Sequence, residues 1–274
     1  MLLTFLQGAA DALWGTPMTV VLVGMGLYLS LRFRFYYNFR YWGFHFPGNT
    51  FGKMFQKGEG HGTVSGFAAA CTAMANTIGV GPYGAYLADG SEYRGHYGVS
   101  REDLEKFHRR RAELLWQAGA DVLLFETQPS LEEALVEASI AKDLGAAFWV
   151  SFSCRDGLHI CEGTPIREAA AEVARQFPEV EALGVNCTKP EYLVSLIGEL
   201  KTASDRPIFV YPNSGEEYDP VTKTWHGVGT DRKFGDYALE YMKAGAVAVG
   251  GCCTTVADHV RQVAAAREQF LGEA

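Results

Sequence analysis

Charge is spread so unevenly along this chain that its two parts cannot belong to one kind of fold. Residues 1–80 hold only two carboxylates, Asp11 and Glu59, whereas acids and bases are frequent and intermixed from Asp89 onward. The run from Pro17 to Leu31 has no charge. With Leu13, Trp14 and Gly15 before it, it is long enough for a hydrocarbon core that takes about 20 helical residues. Arg32, Arg34 and Arg40 follow, interleaved with Phe33, Phe35, Tyr36, Tyr37 and Trp42. Aromatic rings beside a positive cluster mark a cytoplasmic interface. The pattern predicts one transmembrane helix over about 13–31, with membrane contact through residues 13–40 and the rest of the chain in the cytoplasm. A signal peptide is not expected, because no positive region precedes the apolar run and no small-residue cleavage site follows it. A buried helix of a soluble protein is the competing reading, and soluble helices rarely lack charge for so long.

A net charge of −8 with no Lys/Arg-rich stripe argues against a nucleic-acid partner. Six cysteines in 274 residues are too few for a secreted disulfide scaffold. None is spaced as CxxC, so thioredoxin-like and zinc-ribbon readings fail and each cysteine is read in its own context.

From Gly81 the pattern is strand alternating with helix, which predicts an α/β fold with parallel strands. Apolar runs 122–127, 148–153, 182–187, 208–211 and 246–251 read as strands, and the segment 78–83 offers one more. Amphipathic stretches at about 100–118, 130–143, 165–176, 190–202, 233–243 and 255–270 read as helices. Glu126, Ser153, Cys187, Asn213 and Cys252 stand at or near successive strand ends. That is where a (β/α)8 barrel carries its active site.

Cys187 ends one strand, and the neighbours Cys252 and Cys253 follow the last. Adjacent side chains on a regular strand point to opposite faces, so the pair could share an ion only through an irregular backbone. Gly250 and Gly251 before them would permit it. Three thiolates give zinc a tetrahedral set with one position left for substrate. Cys71, Cys154 and Cys161 read as inert buried cysteines.

Two resemblances follow. Leu13-Trp14-Gly15-Thr16-Pro17, the Gly24–Leu29 run, the Arg-Phe repeat and Ala70–Gly81 resemble the start of a sodium:alanine symporter, over about residues 1–80. The many further helices a transporter needs are absent, so transport is not expected. Gly81–Gly95, Phe125-Glu126-Thr127, Ser151-Phe152-Ser153, Glu162-Gly163-Thr164-Pro165, Gly184–Cys187, Tyr211–Glu216 and Gly250–Cys253 are similar, in order, to homocysteine S-methyltransferases over 81–274. The bacterial type that uses S-methylmethionine is the nearest in pattern. Where that family commonly has Arg after the cysteine pair, this chain has Thr254 and Thr255.

The resemblance implies a (β/α)8 (TIM) barrel, zinc on Cys187, Cys252 and Cys253, and Glu126 and Asn186 as the residues nearest the chemistry. It implies methyl transfer from S-methylmethionine, or S-adenosylmethionine, to homocysteine, giving methionine. Glu126 would bind the homocysteine ammonium, Asn213 would line the substrate site, and Tyr83, Tyr211 and Trp225 would face a cationic sulfonium donor. About six strand–helix units are counted where the barrel has eight. The family's first two strands have no counterpart before Gly81, and the symporter-like segment stands in their place. The expectation is a fusion joined near Gly79-Val80-Gly81, with weak or no turnover. The alternative is an inactive, membrane-tethered, zinc-binding remnant.

Overall fold

The computed structural model describes residues 77–227, 229–230 and 232–273. The expected helix over 13–31, residues 1–76 of the symporter-like segment, and Cys71 lie outside the described residues. Among the described residues no helix is long and apolar enough to cross a membrane.

Six parallel strands form one sheet in the order β1 (Thr77–Val80), β2 (Val122–Gln128), β3 (Phe148–Phe152), β4 (Ala182–Asn186), β5 (Ile208–Tyr211) and β8 (Ala248–Val249). Helices follow the strands, as a parallel sheet requires. They are α1 (Tyr83–Leu87), α2 (Arg101–Gln117), α3 (Leu131–Leu144), α4 (Ile166–Gln176), α5 (Leu193–Ala203), α6 (Phe234–Ala244) and α7 (Ala257–Glu273). A hairpin of β6 (Glu217–Asp219) and β7 (Thr224–His226) interrupts the alternation between β5 and α6. The segment expected as one more strand pairs in parallel with β2 through Thr77–Val80. Among the described residues, β1 and β8 are the two edges of the sheet.

Both faces of the central strands are buried, and their alternation assigns each residue a side. Leu123, Phe125, Phe148, Val150, Phe152, Leu183, Val185, Ile208 and Val210 belong to the main apolar core together with residues of α2–α6. The intervening positions on the other face include Glu126, Ser151, Asn186 and Tyr211. Parallel register sets Asn186 beside Tyr211 and Ser151 beside Gly184. One face therefore holds the fold together while the other gathers polar groups at the strands' carboxy-terminal ends.

Local signals start and stop the helices that carry this sheet. Ser100 accepts the Asp103 N–H and caps α2, whose first turn carries Glu102 and Asp103. The start of α3 is capped from a distance, with the Leu131 N–H donated to Glu162 Oε1 at 2.8 Å. Leu104, His108 and Ala112 make the buried stripe of α2 at a spacing of four. His108 lies between two acids on α3, with Nε2 at 2.7 Å from Glu133 and Nδ1 at 3.0 Å from Glu137. All three side chains are fully buried.

Candidate functional site

The three predicted thiols meet. Sγ of Cys187 is 3.5 Å from that of Cys253, Cys253 is 4.0 Å from Cys252, and all three sulfurs lie within 4.8 Å of one another. Zinc–sulfur bonds of about 2.3 Å at tetrahedral angles place sulfurs about 3.8 Å apart. The donor set and its spacing fit a shared thiophilic metal ion.

The backbone that achieves this differs from the sequence expectation. Gly250 and Gly251 do not take left-handed conformations; Cys187 (φ 46°) and Thr254 (φ 62°) do. Gly251 serves close approach instead, because a Cβ there would sit 2.5 Å from Thr255 Oγ1. Backbone bonds lock the strand ends together. Cys187 N–H donates to Tyr211, Cys252 N–H to Pro212, and Ser214 N–H to the Cys253 carbonyl. Thr254 and Thr255, standing where the family commonly has Arg first, donate their hydroxyls to the carbonyls of Cys253 and Cys252, each at 2.6 Å. They fix the cysteine turn.

The thiols share their protons unequally. Cys253 is held far below the usual thiol range because Cys187 and Cys252 donate to it, joined by the Tyr93 hydroxyl. Cys187 is raised by the same sharing with Cys252 and Cys253 and by burial. The triad therefore favours one thiolate strongly, which is the state a metal captures. Cys154 and Cys161 are buried and pushed up by desolvation, Cys161 to about 11. These two remain ordinary thiols.

Glu126 lies beside the triad. Burial raises its carboxyl, and the negative charge of Cys253 adds to that, against a hydrogen bond from Tyr211 Oη at 3.1 Å. Gly79 makes the room, since a Cβ at that position would come within 2.0 Å of Glu126 Oε1. Asn186 is fully buried and acts as a junction. Its Oδ1 accepts from Thr127 N–H (2.8 Å) and Ser151 Oγ (2.7 Å). Its Nδ2 donates to Thr127 Oγ1 (2.7 Å) and faces Cys252 Sγ at 3.9 Å.

The remaining predicted residues divide. Trp225 belongs to a ring cluster with Tyr218 (5.3 Å) and Tyr93 (6.2 Å), and Tyr93 touches Cys253. Asn213 is buried in the loop after β5, where Oδ1 accepts the Gly215 N–H and its own N–H donates to Thr188. Those bonds shape the loop. Tyr83 packs against Phe107, Tyr97 and Tyr86, and its N–H donates to Glu133. Its ring belongs to the α1–α2 packing rather than to the group of side chains around the thiols. Sequence reasoning missed Glu92 and Tyr93, although both lie inside a quoted motif, because nothing in that segment singles them out. It also missed His108, Glu133 and Glu137. There a signal existed: a histidine on the apolar stripe of α2 and two acids four residues apart on α3.

Residues 63–267 match the model of the homocysteine S-methyltransferase family. The chain belongs to that family. Residues 1–84 match the model of the sodium:alanine symporter family, so the two matches overlap at β1 and α1. Homocysteine S-methyltransferase YbgG of Bacillus subtilis is 48% identical over 187 residues, covering 68% of this chain and 59% of the relative. The Escherichia coli homocysteine S-methyltransferase is 49% identical over 183 residues, 65% of this chain and 58% of its own length. Selenocysteine Se-methyltransferase of Brassica oleracea is 43% identical over 194 residues, 67% and 55%. The chain thus spans less than two thirds of the length of these curated relatives. The metallated form of the homocysteine methyltransferase MmuM from Escherichia coli superposes with a TM-score of 0.60 at 35% identity, covering 73% of this chain and 67% of that one. By descent the chain is a member of the homocysteine S-methyltransferase family, with an α/β sheet of six parallel strands and a cysteine set suited to a metal.

Proposed function

We propose that the chain carries out zinc-dependent transfer of a methyl group to homocysteine from a sulfonium donor, S-methylmethionine or S-adenosylmethionine, giving methionine. The observation that carries this reading is the convergence of Cys187, Cys252 and Cys253 at metal-sharing distances, with Glu126 beside them. We take the six strands as six of the eight of a (β/α)8 barrel. The methyltransferase-like unit would cover 81–274, with β1 drawn from the end of the symporter-like segment 1–80.

Zinc, when bound by the three cysteines, supplies positive charge that lowers the pKa of a substrate thiol. The chain's own groups do the rest. Glu126, held by Tyr211, accepts the ammonium of homocysteine. Asn186 keeps Thr127 and Ser151 in register at the strand ends, so that the pocket wall does not shift as substrates enter. In the transfer, the acceptor thiol first loses its proton to solvent. Its lone pair then forms a new C–S bond while the donor's methyl–sulfur bond breaks, and that electron pair stays on the donor sulfur. The donor leaves as a neutral thioether, so no general acid is needed. Aligning two substrates in this way contributes up to about 7–11 kcal/mol to such a displacement.

A second reading, an inactive zinc-binding remnant, is favoured by one feature: among the described residues the sheet has two edges. The deciding experiment supplies S-methylmethionine and homocysteine to the purified full chain and measures methionine. Formation that is abolished in Cys253→Ser supports the enzyme. Zinc retention without product, in this chain and in one completed with two further strand–helix units, supports the remnant.

A further inference from the structure

We propose that Glu92 and the rings of Tyr93, Tyr218 and Trp225 form the seat of the methyl donor, and that this seat is built for an amino-acid sulfonium. This rests on the methyl-transfer reading and deepens it by naming a donor subsite apart from Glu126.

Three observations converge. First, Oε2 of Glu92 is buried and has no hydrogen-bond partner. A buried carboxylate oxygen left unpaired is costly, and an ammonium N–H is the partner that satisfies both its charge and its lone pair. The nearby cation, Arg94, is already engaged by Asp89 at 3.5 Å. The Glu92 backbone is fixed, because its carbonyl accepts Ser153 Oγ at 3.0 Å.

Second, the next residue, Tyr93, links the carboxylate to the thiols. Its hydroxyl is near enough to Cys253 to help lower that thiol, and its ring meets Tyr218 at 5.8 Å and Trp225 at 6.2 Å. Tyr218 and Trp225 lie opposite each other across the β6–β7 hairpin, 5.3 Å apart. All three rings are only half-buried, so ring surface remains open to a ligand. An ion pair between Lys189, just beyond Cys187, and Glu217 ties the hairpin to the loop that carries the first thiol.

Third, the chemistry of the two partners matches. A sulfonium carries fixed positive charge and no N–H or O–H, so hydrogen-bond acceptors cannot address it specifically. Aromatic faces can. Its amino-acid end does carry an ammonium, which suits Glu92. Methyl loss converts the sulfonium to a neutral thioether, so the ring attraction weakens as product forms. The rings therefore act mainly on donor binding rather than on the chemical step.

The test uses isothermal titration of the full chain with S-methylmethionine and, separately, with methionine, which keeps the ammonium but lacks the charge on sulfur. We expect the sulfonium to bind about tenfold more tightly or better. Trp225→Leu should erase most of that preference. Glu92→Gln should weaken both ligands about tenfold or more, with homocysteine binding and zinc content unchanged, and Glu92→Asp should recover part of the loss. Equal binding of the two ligands, unaltered S-methylmethionine binding in Glu92→Gln, or loss of homocysteine binding instead would each overturn the proposal. Binding is read without turnover, so a chain that holds the donor yet makes no methionine keeps this inference and removes the functional reading above.

Discussion

Replacing Asn186 by leucine, close in size and without polar atoms, isolates the junction at the centre of the site. Four hydrogen bonds disappear: two accepted by Oδ1 and two donated by Nδ2, the longer of them to Cys252 Sγ. The partners do not suffer equally. The Ser151 hydroxyl can turn to Tyr211, which already feels it. The Thr127 hydroxyl also rotates. The Thr127 N–H cannot, and stranding it costs about 1–3 kcal/mol. Thr127 sits at φ 62°, a strained setting for a residue with a Cβ, and the bond from Asn186 holds it there. With about 1 kcal/mol for the bonds that re-form imperfectly, the expected loss is about 2–4 kcal/mol. Urea denaturation would show it as a lower midpoint at constant slope. Asn186→Asp is the informative companion. It keeps both acceptor bonds, so most stability should remain, but it sets a negative charge 3.9 Å from Cys252 in place of a donor. Its zinc affinity, measured by competition with a chelator, should fall. Under 1 kcal/mol lost in Asn186→Leu, with unchanged zinc affinity in Asn186→Asp, would refute the view that this side chain braces the site.

Three further outcomes are expected. Purified protein should carry about one zinc per chain by elemental analysis, largely lost in Cys187→Ser or Cys252→Ser and retained in Cys154→Ser. Gly79→Ala should push Glu126 away from Tyr211 and raise the KM for homocysteine about tenfold, since the added Cβ would lie 2.0 Å from its carboxylate; an unchanged KM would detach Glu126 from the acceptor. Stability should fall as the solution turns alkaline. Burial alone would lower His108, but Glu137 and Glu133 outweigh it and raise the imidazole to about 9. Its contribution is complete below the unfolded value near 6.5 and is lost as pH climbs through about 9. Burial also lifts Glu137, to about 7, so its own loss comes earlier, as pH rises from about 4.5 through 7. Urea midpoints at pH 7.5 and 9.5 should differ in the parent, and the difference should shrink in His108→Gln.

Much of this architecture was legible from periodicity. Short apolar runs ending in polar residues showed where strands lie, and the amphipathic stretches between them showed the helices. The thiol triad was legible because Cys187 and the Cys252–Cys253 pair fall at strand ends. Its backbone was not, since left-handed conformations at Cys187 and Thr254 are imposed by tertiary bonds that local sequence does not encode. The β6–β7 hairpin escaped for the same reason. Its strands are three residues each, and the contacts that hold it, the rings of Tyr93, Tyr218 and Trp225 and the Lys189–Glu217 ion pair, join residues far apart in sequence or lie within it. Tyr83, an aromatic in a site motif, has its ring against Tyr86, Tyr97 and Phe107.

The two-sided strands have an implication for how this sequence can change. On β4 the same five residues present Leu183 and Val185 to the core and Asn186 to the site. Deleting or inserting one residue there would turn Asn186 toward α5 and swing the aliphatic side chains among the thiols. Activity and solubility would fail in the same stroke. Drift toward new substrates is therefore confined to point substitutions on the strands, while insertions are tolerated in the connections, where length can vary without shifting the phase of any strand in the six-stranded sheet.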